Sequence, residues 1–223
     1  MTKWLLRITL LPALAAFALG TAGCASGLPI IGGGGAAGSV RMQSLDEAPI
    51  SLTSRFKTGV FLQGAAETSI YLADVPLDDL LSGRVTEGQV THVEFLWVPK
   101  AGVTPMAPSA TNTSIRHIVF VNGEVGVYGG AGFARPAGKL EGETIRLNMK
   151  DASLRLLEST PGFVDLLTPA RLNGSFTANL DARATRRVQY AVSQMVTNAL
   201  GRSLFVDAPL SSDAVAIALP PSH

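Results

Sequence analysis

Apolar and polar residues alternate in short runs along most of this chain and follow a helical period in one long run. In residues 55–62, Phe56, Thr58, Val60 and Leu62 share a face, and in residues 68–73 Ile70 and Leu72 do the same. Residues 90–98 set Val93, Phe95 and Trp97 against His92, Glu94, Leu96 and Val98. Residues 114–122 are so apolar, with Ile115, Ile118, Val119, Phe120 and Val121, that the pattern predicts a strand covered on both faces. Asn122-Gly123 then predicts a hairpin into residues 125–128, because both residues accept positive φ. Residues 143–149 and 152–157 read as a further strand pair. The cleanest alternation lies in residues 172–180, where Leu172, Phe176, Ala178 and Leu180 oppose Asn173, Ser175, Thr177 and Asn179.

The helical run covers residues 184–200, with Val188, Ala191, Val192, Met195, Val196, Ala199 and Leu200 on one stripe. Gly201 is placed to end it with a left-handed cap. Short helical turns are expected at 76–81 and 161–167. The predicted fold class is α+β and β-rich: an antiparallel sheet, as a sandwich or partly closed barrel, with one long C-terminal helix packed on it.

The two ends read differently. Lys3 and Arg7 open the chain, an apolar stretch runs from Ile8 through Leu10, Leu14, Phe17 and Leu19, and Gly20, Thr21, Ala22 and Gly23 follow. A basic start, a short apolar core and a small-residue end form an export signal over residues 1–23, too short for a membrane span. Residues 24–39 read as a tether, because the glycines at 32–35 lack a Cβ and resist ordering. They do not read as a phosphate loop, since no strand precedes them and no lysine or helix follows. Residues 40–206 then form a single globular domain, and 207–223, with Pro209, Pro220 and Pro221, a loose tail.

Thr21-Ala22-Gly23-Cys24 resembles the lipobox of bacterial lipoproteins. The resemblance covers the first 24 residues and departs from the commonest pattern at Thr21, where leucine is usual. It implies acylation of Cys24, such as by palmitate, and a domain held at a membrane of the cell envelope, outside the cytoplasm. Multiple acyl chains make such an anchor nearly permanent. Cys24 is the only cysteine, so no disulfide can form within the chain.

Charge narrows the partners. Loss of Lys3 and Arg7 with the signal takes the 18 basic residues to 16, against 17 acidic ones. A near-neutral chain lacks the basic footprint of a nucleic-acid binder. The expected partners are the membrane, through the lipid, and an envelope protein or a small apolar ligand.

Chemistry-bearing patterns are sparse, and no cofactor motif is found. His92, Glu94 and His117 would make a weak zinc set if their strands were neighbours in the right register, but no ligand spacing motif accompanies them. A serine nucleophile has few available bases and no strained elbow, so no catalytic residue is assigned. Asp74, Asp78, Asp79 and Glu87 cluster near Pro76, where Asp78 and Asp79 suit a helix N-terminus better than paired-acid catalysis. The glycine-rich residues 126–134 predict a bend, and the proline-bearing residues 99–112 a long loop. Where these meet, Trp97, Met106, Tyr128 and Phe133 are the candidate binding surface. The leading expectation is a structural or interaction module of the envelope. A carrier of a small apolar ligand and a metal-dependent or hydrolytic enzyme are the alternatives.

Overall fold

The structure, a computed structural model, describes residue 35 and residues 37–64, 68–97, 111–137 and 142–204. Cys24, the residues read as an export signal (1–23) and Met106 lie outside the described residues. The described elements run β1 (Ala37–Ser44), β2 (Ser51–Arg55), β3 (Thr58–Gln63), β4 (Thr68–Ala73), α1 (Leu77–Ser82), β5 (Gly88–Phe95), β6 (Thr113–Val121), β7 (Glu124–Pro136), β8 (Thr144–Ser159), β9 (Ala170–Leu180) and α2 (Ala182–Leu200).

From β3 to β9 each strand pairs antiparallel with the next. β9 then meets β3 in a short parallel pairing, Val60 beside Asn179 and Phe61 beside Leu180, which closes the ring. β1 lies antiparallel along the earlier part of the same β9 edge, and β2 pairs with β1. The single antiparallel sheet is thus a barrel with a hairpin appended. Paired residues lead from Asn179 through Val60, Tyr71, His92, Arg116 and Gly129 to Arg155. That residue adjoins the Leu154–Ala170 pair, near the other end of β9. Strands staggered this far tilt strongly, and a ring of this size encloses little more than its own side chains.

Alternation along each strand divides the apolar residues into two cores. Phe61, Ile70, Leu72, Leu147, Leu172 and Phe176 point into the barrel and are fully buried or nearly so. Their strand neighbours Val60, Tyr71, Val90, Ile118 and Val127 point outward, where Val188, Val192, Met195 and Val196 of α2 cover them. Each of these helix side chains contributes about 1.5–3 kcal/mol by leaving water. Both ends of α2 are capped, the C-terminal one at Gly201 as the sequence predicts. The Asp181 carboxylate accepts from the Ala184 N–H at 2.8 Å, and Gly201, at φ 71°, donates to the Thr197 carbonyl. Arg202, just beyond, forms an ion pair with Glu158 of β8.

Several local expectations differ from the structure. β1 begins at Ala37, inside the stretch read as a tether. Gly38, at φ 114°, lets it lie against β9, where a Cβ would land on the Ser175 carbonyl oxygen. The glycine-rich residues lie within β7, whose register against β8 shifts twice, and their missing side chains let β8 and the following segment press close. The two strands read at 143–149 and 152–157 are one, β8, whose register shifts between Met149 and Ala152, beside Asp151 at φ 53°. Residues 161–167 are not helical; Phe163 and Leu167 turn toward the barrel core instead. The Asn122-Gly123 hairpin forms with φ of 52° and 80°.

Candidate functional site

The connections 45–50, 122–123 and 160–169 gather at one end of the barrel. Leu45 N–H donates to Pro169 carbonyl, Gly162 N–H to Glu124 Oε2, and Thr160 N–H to Val125 carbonyl. At this mouth the inward-facing residues change character. Leu52, Val119, Leu156 and Phe163 pack against the inner core but keep part of their surface in solvent. Phe163 enters from the 160–169 segment because Gly126 leaves room for its ring, and it meets Tyr128 edge-on at 6.3 Å. The Tyr128 hydroxyl donates to Asp165 Oδ1 at 2.8 Å. That carboxylate also accepts from the Leu167 and Thr168 N–H groups.

Polar side chains line the inner wall next to this apolar rim. Register pairs Gln89 with Val119 and Thr91 with His117, so these residues share the barrel's inner face. β2 ends the strand order, and the Gln89 side chain reaches its edge. The Gln89 amide nitrogen donates to Asp74 Oδ2 at 3.1 Å and, at 3.5 Å, to the Thr53 carbonyl. Two acceptors on one side fix the amide orientation, which leaves Oε1 as an acceptor. Gln89 Oε1, Ser54 Oγ and His117 Nε2 are buried without a hydrogen-bond partner in the protein. His117 Nδ1 lies 2.9 Å from Thr91 Oγ1, and burial pushes its pKa down to about 4, so the ring is neutral.

The structure separates the residues of the proposed zinc set. His92 pairs with Arg116 across the sheet whereas His117 pairs with Thr91, so the two imidazoles lie on opposite faces of the barrel wall. Glu94 accompanies His92 on the outer face. No group of three or more metal-ligating side chains occurs among the described residues. His92 is 2.8 Å from Ser69 Oγ and stacks on Tyr71 at 4.3 Å. The hydroxyl–imidazole pair has the geometry of an activated nucleophile, but both groups are buried. Burial, and then the Arg116 charge, push His92 down to about 3, far below the range of a base at neutral pH. The pair fixes a ring in a packed wall.

The proposed aromatic surface is divided too. Trp97 and Phe133 meet at 6.1 Å, and the Trp97 ring N–H donates to the Thr111 carbonyl. Tyr128 is inside the barrel, 1% exposed, on the inner face it shares with its cross-strand partner His117. Met106 and most of the 99–112 loop fall outside the described residues. Of the acid cluster, Asp74 holds Gln89, while Asp78 and Asp79 sit exposed in the first turn of α1. Gln89, Ser54 and Phe163 were not singled out from sequence. Gln89 precedes an apolar strand and Phe163 sits between turn residues, so neither carries a local signal.

No known protein family, curated protein or solved structure matches the chain. Among the described residues no helix is long and apolar enough to cross a membrane.

Proposed function

We propose that this protein is a lipid-anchored component of the bacterial cell envelope whose barrel holds a small, largely apolar ligand at one mouth. The observation that carries the binding reading is the partial exposure of Leu52, Val119, Leu156 and Phe163, which face inward where the rest of the barrel interior is sealed. Concave apolar walls with a few convergent polar groups are the usual make-up of a small-molecule site. The address rests on Thr21-Ala22-Gly23-Cys24, whose acylated thiol would tether the barrel to the bilayer. Catalysis is not part of the reading, since both hydroxyl–imidazole pairs, Thr91–His117 on the inner face and Ser69–His92 on the outer, are buried with their rings held neutral.

Native mass spectrometry of the full-length protein in nanodiscs tests it, with Leu156→Trp as the filled-mouth control. The expected result is an extra bound mass on the wild type, and enhanced fluorescence of an apolar probe, both lost in the variant. A bare wild-type protein with the variant's probe signal would refute the reading. A second reading, an interaction module, draws on Leu45, Ile50, Val164 and Leu166, which are 45–72% exposed on the connections at the same end. Retained partner binding by Leu156→Trp and its loss in Val164→Glu would favour it.

A further inference from the structure

Resting on the ligand-binding reading above, we infer that the mouth selects its ligand by head group. Gln89 Oε1, Ser54 Oγ and His117 Nε2 form a polar floor that accepts a neutral, hydrogen-bond-donating head such as an alcohol, and rejects a carboxylate. The three atoms belong to one region of the inner wall. Gln89 and Thr91 are two residues apart on the same face of β5, and His117 is the cross-strand partner of Thr91. Ser54 follows Thr53, whose carbonyl receives the Gln89 amide. Each of the three residues is more than nine-tenths buried, so each polar atom left without a partner carries a desolvation cost that a bound head group would remove.

The polarity of the floor follows from its bonds. Both donors of Gln89's amide nitrogen are directed at Asp74 and Thr53, which leaves the buried, unpartnered carbonyl oxygen, a group that can only accept. A ligand hydroxyl satisfies it, while the Ser54 hydroxyl and the His117 ring nitrogen complete the head group's remaining positions. A carboxylate meets the opposite environment: an acceptor oxygen, with the Asp74 carboxylate directly behind the same amide. The described inward-facing side chains of the barrel include no lysine or arginine to offset a buried negative charge. Burial of such a charge without a counter-ion is strongly unfavourable. The apolar remainder of the ligand lies along Leu52, Val119, Leu156 and Phe163, and leaves by the mouth.

The test uses the full-length protein in nanodiscs, a fluorescent apolar probe, and two competitors of equal chain length, dodecanol and dodecanoate, at matched free concentrations above pH 7. Dodecanol is expected to displace the probe at a concentration at least tenfold below that of dodecanoate. In Ser54→Ala and Gln89→Met that preference should shrink roughly fivefold to tenfold, the weight of one hydrogen bond. Ser54→Ala, which only deletes an unpartnered oxygen, keeps or raises the melting temperature and so separates lost recognition from lost folding. Equal displacement by alcohol and carboxylate, with the probe still bound, overturns head-group selection but leaves the apolar mouth standing. Unchanged preference in both variants overturns the polar floor, and failure of the probe to bind overturns both readings.

Discussion

The Tyr128 hydroxyl, on the inner wall of the barrel, donates to Asp165 in the segment that folds across the mouth. One 2.8 Å bond thereby couples strand β7 to the 160–169 connection, which carries Phe163 and Leu167 inward. Tyr128→Phe is expected to cost about 1 kcal/mol in urea-induced unfolding, the weight of one hydrogen bond. Asp165→Ala should cost more, about 1–3 kcal/mol, because the Leu167 and Thr168 N–H groups lose their acceptor as well. Equal costs for the two variants would show that Asp165 acts through Tyr128 alone.

The two buried histidines make acid the natural denaturant. Burial holds His117 down to about 4, and burial together with the Arg116 charge holds His92 down to about 3. In the unfolded chain both rings titrate near 6.5. The unfolded state therefore binds more protons below that pH, so the stability from neutral rings is complete above pH 6.5. It is lost as pH falls toward 4 and 3. Near pH 5, where the unfolded rings are charged and the folded ones neutral, each ring adds up to about 1.4 kcal/mol per pH unit to the slope of unfolding free energy. Replacement of His117 or His92 by glutamine should remove one such increment each, measured as the difference in slope from the wild type. A slope unchanged in both variants would mean that the carboxylates alone govern acid unfolding.

Asp165 shifts in the same direction as the histidines, but its hydrogen bonds rather than its burial are the cause. Partial burial works to raise its pKa, but the bonds from Leu167, Thr168 and Tyr128 outweigh that and hold it below the usual carboxylate range. Its contribution is present above the unfolded carboxylate pKa and disappears as pH falls through the lower folded value. The mouth segment and the histidine-bearing wall thus weaken together in acid.

The glycines of β7 differ in what they make room for, and this gives a graded prediction. A Cβ on Gly126 would strike the Phe163 ring, which is the end of a movable side chain. A Cβ on Gly130 would land on the Ser153 carbonyl oxygen, which is backbone within the β7–β8 pairing. Gly126→Ala is therefore expected to displace Phe163 and cost about 1–3 kcal/mol, in the range of overpacking substitutions. Gly130→Ala should cost more, because a ladder must shift. Thermal unfolding of the two variants checks the order, and probe binding checks the mouth: Gly126→Ala should alter it and Gly130→Ala should not, wherever both fold.

These glycines also mark where the sequence could be read and where it could not. Helix α2 and strand β9 were legible because each has one dry face and one wet face, and a one-residue slip would expose the dry one. The pattern over 126–134 carried no such contrast. A glycine that bends a chain and a glycine that admits a neighbour look alike until the neighbour is known, and here the neighbours, Phe163 and Ser153, are more than twenty residues away in sequence. β1 was hidden for the same reason, since Gly38 and Gly174 permit a close approach that only the pairing with β9 reveals. Tyr128 reads as a surface residue because its glycine neighbours suggest a bend. Gln89 could not have been singled out at all: its role comes from Asp74 and the β2 edge, both brought to it by the barrel's closure.

The address depends on one thiol. Cys24 is the chain's single cysteine, so radiolabelled palmitate has one thiol to mark. The wild type should incorporate label and sediment with membranes in high salt, because several acyl chains at about 0.8 kcal/mol per buried methylene far exceed any screened electrostatic attachment. Cys24→Ser should incorporate none. If cleavage by a lipid-dependent peptidase is also blocked, the variant should migrate as the longer, signal-bearing form. The barrel itself should be unaffected, since the described contacts of that end of the chain begin at Gly35, which bridges Thr58 and accepts from Asn179, well beyond Cys24. The variant's melting temperature and probe binding should therefore match the wild type's. Equal labelling of wild type and Cys24→Ser would place the lipid elsewhere or nowhere, and the envelope reading would then have to rest on something other than Thr21-Ala22-Gly23-Cys24.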